Sequence, residues 1–158
     1  AARVQGFEFL ASWLPIPRAW KWQLPLQVSY AFTDTEMKNE FYSSAWGQVY
    51  PGDELPYIYR HALNAQLGIE YRGWEANLTM RYNGAMRTQP GQGQLAELHQ
   101  IPAHTILDAS IKVQVNKHLT LTANAVNLMN KAYLTSRHPA GLRAGHPFGI
   151  YGGFRLSL

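Results

Sequence analysis

Trp74-Glu-Ala-Asn-Leu-Thr-Met-Arg-Tyr-Asn83 alternates without an error: Trp74, Ala76, Leu78, Met80 and Tyr82 are apolar, while Glu75, Asn77, Thr79, Arg81 and Asn83 are polar. A period of two puts the two sets on opposite faces of an extended chain, so the stretch is a strand with one apolar and one polar side. The same rhythm recurs over 7–13, 24–33, 63–72, 107–115, 119–125 and 150–158. The pattern predicts an all-β chain of about seven strands.

The connections alternate as well. Arg72-Gly73-Trp74 and Asn116-Lys117-His118 read as tight turns, and Leu14-Pro15-Ile16-Pro17-Arg18 leads to Trp22 by a short Pro-marked path. The intervening connections, 34–60, 84–104 and 129–147, are long and rich in Gly, Pro, Asn and His. Short turns at one end and long loops at the other describe an antiparallel up-and-down meander with a functional end.

Alternation alone also fits half of a soluble β-sandwich. Three features favour a membrane barrel. The strands run to about nine to twelve residues, the reach of a tilted membrane-crossing strand rather than the five or six usual in soluble sheets. Trp13, Trp22, Tyr30, Phe32, Tyr71, Trp74 and Tyr82 mark the ends of the apolar faces, where barrels carry interfacial girdles. The other face carries Glu8, Glu70, Arg72, Glu75, Arg81, Asp108, Lys112 and Arg155, charges that a dry core rejects and a wet lumen accepts.

Composition agrees. Of 158 residues, 46% are apolar, 13% aromatic and 15% charged, which excludes a disordered tail. The absence of cysteine removes disulfides, thiolate metal sites and cysteine nucleophiles. A net charge of +4 is too small and too scattered for a nucleic-acid face, so no nucleic-acid partner is expected. No run approaches the roughly 18 apolar residues of a membrane helix. Bacterial barrels use an even number of strands and must close. Seven strands and a start without a signal peptide therefore lead us to expect residues 1–158 to be the C-terminal part of a larger barrel, the earlier strands lying elsewhere.

The residues themselves resemble a family. Gly6-Phe-Glu8, Leu24-Pro-Leu26, Ser29-Tyr-Ala-Phe-Thr-Asp34, Asp53-Glu-Leu-Pro-Tyr57, His61 and Leu63-Asn64 are similar, in order, to the late strands of TonB-dependent outer-membrane receptors. Asn127-Leu128, Asn130-Lys131, Tyr133, the stretch 136–145 and Gly152-Gly153 continue the similarity, most closely to receptors of the ferric-dicitrate type. The resemblance covers essentially the whole chain. It implies a barrel of about 22 strands in the outer membrane, a plug domain preceding it, and TonB acting through that plug to energise uptake of a ferric chelate of the citrate or siderophore type. On this reading the segment binds no cofactor of its own, the ferric chelate is the transported ligand, and the partners are the rest of the barrel, the plug, outer-membrane lipid and lipopolysaccharide. The alternatives are a soluble carbohydrate-binding β-sandwich and a passive porin-like channel.

Enzyme chemistry has little support. Six histidines occur, but none forms an H-x-H or H-E-x-x-H arrangement. Ser43 and Ser44 lack the G-x-S-x-G elbow, and Pro90-Gly-Gln-Gly-Gln94 lacks the Lys and Ser/Thr of a phosphate loop. The informative cluster is basic: Lys131, Arg137, His138, Arg143 and His146 occupy the final long loop with no acidic residue after Asn127. With Arg87 of the middle loop, Arg137, His138, Arg143 and His146 are the expected contacts for a carboxylate-rich anion at a barrel mouth. The first long loop has the opposite sign (Asp34, Glu36, Glu40, Asp53, Glu54) and is expected to pair with the basic loop as a lid or to face divalent ions bridging lipopolysaccharide.

Overall fold

The computed structural model describes residues 1–17, 19–137 and 141–157. Among these the strands are β1 (Ala2–Trp13), β2 (Trp22–Gln23), β3 (Leu26–Met37), β4 (Phe41–Ser43), β5 (Gly47–Val49), β6 (His61–Tyr71), β7 (Trp74–Asn83), β8 (Met86–Arg87), β9 (Gln100–Ile101), β10 (His104–Gln114), β11 (Leu119–Val126), β12 (Leu134–Ser136), β13 (Arg143–Ala144) and β14 (Gly149–Leu156). A single 3-10 turn, Glu97–His99, interrupts them.

The long strands form one antiparallel sheet in the order β1-β3-β6-β7-β10-β11-β14, with β2 hooked onto the end of β6. Neighbours in the sheet follow the chain, as the meander requires. The register preserves the two faces across every seam. Leu67 pairs with Leu78, Leu78 with Ala109, Ala109 with Ala125 and Ala125 with Ile150. On the other face Gln66 pairs with Thr79, Thr79 with Asp108, and Glu75 with both Glu70 and Lys112. A slip of one residue on any strand would turn its apolar set into the lumen, which is why the pattern fixes the register so tightly.

A single sheet whose faces meet lipid and water buries little. Leu67, Leu78, Ile111, Ile150 and Phe154 are all exposed, and the buried apolar side chains are Met37, Val49, Met86, Ile101 and Ile106 at the long-loop end. No second sheet covers the apolar face among the described residues, so the sandwich reading is not favoured. The polar face carries its own ion pairs, Arg81 to Asp108 at 2.6 Å and Lys112 to Glu75 at 2.8 Å. The Lys112 pair offsets the like-charge opposition of Glu70 and Glu75.

β1 and β3 extend furthest beyond the alternation. β1 begins at Ala2 rather than Phe7, and β3 continues to Met37 rather than Thr33. Beyond the girdle of Phe7, Tyr30 and Phe32 the outward series becomes Gln5 and Arg3 opposite Asp34 and Glu36. Outside the hydrocarbon the outward face no longer needs apolar side chains, so the strand outlasts its hydrophobic signal. Arg72 differs too. Both Arg72 and Gly73 have positive φ, 44° and 83°, the requirement of a tight I′-type hairpin. The Arg72 guanidinium lies over the ring of Tyr71, on the outward series, instead of on the polar face. The turn at 116–118 is closed by the Asn116 carboxamide, whose oxygen accepts from the backbone N–H groups of His118 and Leu119.

Candidate functional site

Because strands alternate in direction, connections 38–60, 84–103 and 127–148 all emerge at the same end of the sheet. Each is folded on itself before it meets its neighbour: β4 pairs with β5, β8 with β9 and β12 with β13.

The first and second connections are sewn together. Arg87, nearly buried, donates through Nε to the Glu54 carboxylate at 2.8 Å and through its second arm to the Gly93 carbonyl. Backbone bonds run alongside: Glu54 N–H to Gly91 O at 2.9 Å and Tyr57 N–H to Arg87 O at 2.8 Å. The Gln92 carboxamide adds bonds to Pro51 O and Asp53 Oδ1. Between these loops a polar cleft of about 200 Å³ is flanked by two ion pairs, Asp34 with Arg60 and Glu54 with Arg87.

The third connection joins them through Arg137. Its backbone N–H donates to the Tyr57 hydroxyl at 3.3 Å, and its guanidinium donates to Leu98 O at 3.2 Å. Tyr57, held at φ 61°, thus touches Arg87 by its backbone and Arg137 by its side chain. Beside this junction His104 stacks on Tyr133 at 4.8 Å and receives the edge of Tyr59 at 6.2 Å. A Cβ at Gly145 would run into the Tyr133 ring, so glycine is what lets that ring lie flat on the loop. Burial, with Tyr133 nearby, raises the pKa of the Tyr59 hydroxyl above its ordinary value.

Asn127 fixes the root of the third connection. It is buried, holds φ 50°, and donates its backbone N–H to Asp108 Oδ1 at 2.8 Å. Its side-chain amide donates to Lys131 O and His146 O, and its oxygen accepts from Lys131 N. Asn is among the few side-chain-bearing residues that tolerate the left-handed region.

The five candidate contacts therefore separate. Arg87 and Arg137 meet at Tyr57 as cross-links between loops. Arg143 is exposed on β13, and His146 bonds the Tyr151 hydroxyl at 2.7 Å, both within the last connection and its strand. His138 lies outside the described residues. The last loop meets the first through Arg137 and Tyr57 but not through an acid–base pair: among the described residues Glu54 pairs with Arg87, Glu36 with Arg3 and Lys38, and Asp34 with Arg60. Nothing in the alternation of the sequence marks the clamping roles of Tyr57 and Asn127. The only local signals for them were the Asn at a strand end and the Asp53-Glu-Leu-Pro-Tyr57 motif. Among the described residues no three His, Asp or Glu side chains gather as a metal site.

Comparison with the curated proteins gave no match. Among solved structures, the ferric-catecholate import receptor Fiu of E. coli K12, in its closed form, superposes with a TM-score of 0.71 at 23% identity, over 98% of this chain and 21% of Fiu. The siderophore receptor PiuA of Acinetobacter baumannii gives 0.72 at 19% identity, over 98% of this chain and 22% of PiuA. The ferric enterobactin receptor PfeA of Pseudomonas aeruginosa, as a G324V mutant, gives 0.58 at 16% identity, over 96% of this chain and 21% of PfeA. The chain thus spans about a fifth of the length of these structures, and at such identities the likeness is one of fold. The family model described as TonB dependent receptor-like, beta-barrel matches residues 1–128, and the chain belongs to that family of outer-membrane β-barrels.

Proposed function

We propose that this chain is the C-terminal part of the barrel of a receptor that takes up a ferric chelate, energised by TonB through a plug carried elsewhere in the same protein. The single observation that carries the reading is the match of the family model to 1–128, four-fifths of the chain. The architecture supports it, with one face for lipid, one wet face for a lumen, and three long connections gathered at one mouth. The similarity of 136–145 to ferric-dicitrate receptors argues for citrate, and the likeness to Fiu, a ferric-catecholate import receptor, argues for a catecholate. Both cargoes are anionic, oxygen-rich complexes of iron(III), and exposed guanidinium and imidazole groups at a mouth suit that shared chemistry. The chain's part is binding and passage, without covalent chemistry. The row Arg3, Glu36, Lys38 and Arg60 above the girdle supports a contact with lipopolysaccharide on the outward side.

The test is uptake by the whole receptor. Cells lacking it, grown under iron limitation, are expected to lose accumulation of radioactive iron supplied as ferric citrate or as a ferric catecholate, and the restored receptor to recover it only when TonB is present. Unchanged uptake of both, with no binding of either to the purified receptor, would overturn the reading.

A further inference from the structure

The short-turn end has a charge character of its own. Residues 14–25, 72–73 and 115–118 contain Arg18, Lys21, Arg72 and Lys117, and not one Asp or Glu. Among the described residues Lys21, Arg72 and Lys117 make no ion pair; at the other end Arg3, Lys38, Arg60 and Arg87 do, and Lys131, Arg137 and Arg143 do not. The carboxylates next in sequence, Glu70 and Glu75, belong to the polar face, and Glu75 is taken by Lys112.

Of these cations Arg72 rests on the aromatic edge of the apolar band, while Lys21 lines the neighbouring polar hollow with Glu70, Glu75 and Lys112. Tyr71 continues the outward series of Leu67 and Ile69. Trp22 stacks on Tyr71 with ring centroids 4.1 Å apart and planes 17° from parallel, and the Arg72 guanidinium carbon lies 5.3 Å from the same ring. The turn bearing Lys21 is held by Gln23, whose Nε2 lies within hydrogen-bond reach of the carbonyls of Pro17, Trp20 and Trp22. Trp20, Trp22 and Trp74 are all exposed. Amphipathic rings at the end of an apolar band sit at headgroup depth, and a cation resting on them lies where lipid phosphates are.

We propose that this rim, Arg72 over the Tyr71 ring that stacks on Trp22, with Lys21 and Lys117 in the adjoining turns, binds the phosphate of an anionic glycerophospholipid in the leaflet that the short turns touch. Charge complementarity selects the occupant: an unpaired cationic rim on a lipid-facing girdle draws anionic lipid, each Lys or Arg favouring it by about fivefold. The inference depends on the barrel and not on its cargo.

The probe is spin-labelled phosphatidylglycerol compared with spin-labelled phosphatidylcholine, each at trace level in phosphatidylcholine nanodiscs holding the whole receptor. The wild type is expected to immobilise the glycerol lipid preferentially, with the preference falling in about 0.5 M salt as screening shortens the field. The triple variant Lys21→Gln, Arg72→Gln, Lys117→Gln is expected to lose at least half of it while keeping the heat-shifted mobility of a folded barrel in electrophoresis. Should the variant not fold, the salt dependence of the wild type still decides. Equal immobilisation of the two lipids by the wild type, a preference indifferent to salt, or one that a folded triple variant retains would overturn the proposal.

Discussion

Nε of Arg87 donates to the Glu54 carboxylate at 2.8 Å, joining two connections whose roots are separate hairpins of the sheet. Arg87 is almost entirely covered while Glu54 is partly open, so the pair is neither a surface ion pair of negligible value nor a fully dry one. Replacing Arg87 by Met leaves the Glu54 carboxylate and the Gly93 carbonyl without their donor. We expect a local loss of about 1–3 kcal/mol, read as faster amide exchange over 50–58 and 88–95 with the long strands unaffected. Unchanged exchange in both segments would mean that the backbone bonds alone hold the loops.

Asn127→Ala is expected to act on a different segment. The substitution removes three side-chain hydrogen bonds and puts a residue with no local compensation at φ 50°. A cost of about 2–4 kcal/mol follows from the lost bonds and the strain together. Protease sensitivity should rise within 127–148 while 84–103 stays protected. Equal sensitivity in wild type and variant would contradict this role.

The long strands were legible because lipid on one side and water on the other impose a strict period of two. β7 matches its alternation residue for residue. The failures cluster where that constraint ends. Arg3, Gln5, Asp34 and Glu36 continue β1 and β3 as outward polar residues above the girdle, so the strand persists while its signal inverts. The clamp at Tyr57 was not legible for another reason: Glu54, Arg87 and Arg137 are brought together by connections that carry no period, and a cation held by a loop carbonyl has the same local sequence as one free to meet a ligand.

The two faces can be checked directly. Nitroxides at Leu67, Leu78 and Ile111 are expected to collide with oxygen dissolved in the bilayer, and those at Gln66, Asn77 and Ser110 with a water-soluble relaxant, because the register keeps the sets apart across β6, β7 and β10. Uniform accessibility to the water-soluble agent would contradict the membrane-facing assignment. An apolar hollow of about 450 Å³ on the first face, lined by Leu67, Ile69, Leu78, Ile111, Ala123 and Ile150, should give the deepest oxygen signal.

The cations of the mouth call for separate rather than joint replacement. Arg137 is committed to Tyr57 and Leu98, so Arg137→Ala should loosen the junction of loops and raise exchange near 97–101 with or without ligand. Arg143 stands exposed with no carboxylate partner among the described residues. If it reaches the chelate, Arg143→Ala should weaken binding of ferric citrate or a ferric catecholate by about 1.5–3 kcal/mol, the value of a charge-assisted hydrogen bond in a desolvated contact. Such a contact survives high salt. A guanidinium acting only through its field is screened beyond about 8–10 Å at physiological ionic strength, so its effect would fade as salt rises. Titrating wild type and both single variants at low and high ionic strength separates the two cases. The expected result is a loss in Arg143→Ala that persists in salt, and in Arg137→Ala a smaller one accompanied by loop exchange. Unchanged affinity in both variants at both salts would place the chelate against loops of the receptor outside this chain.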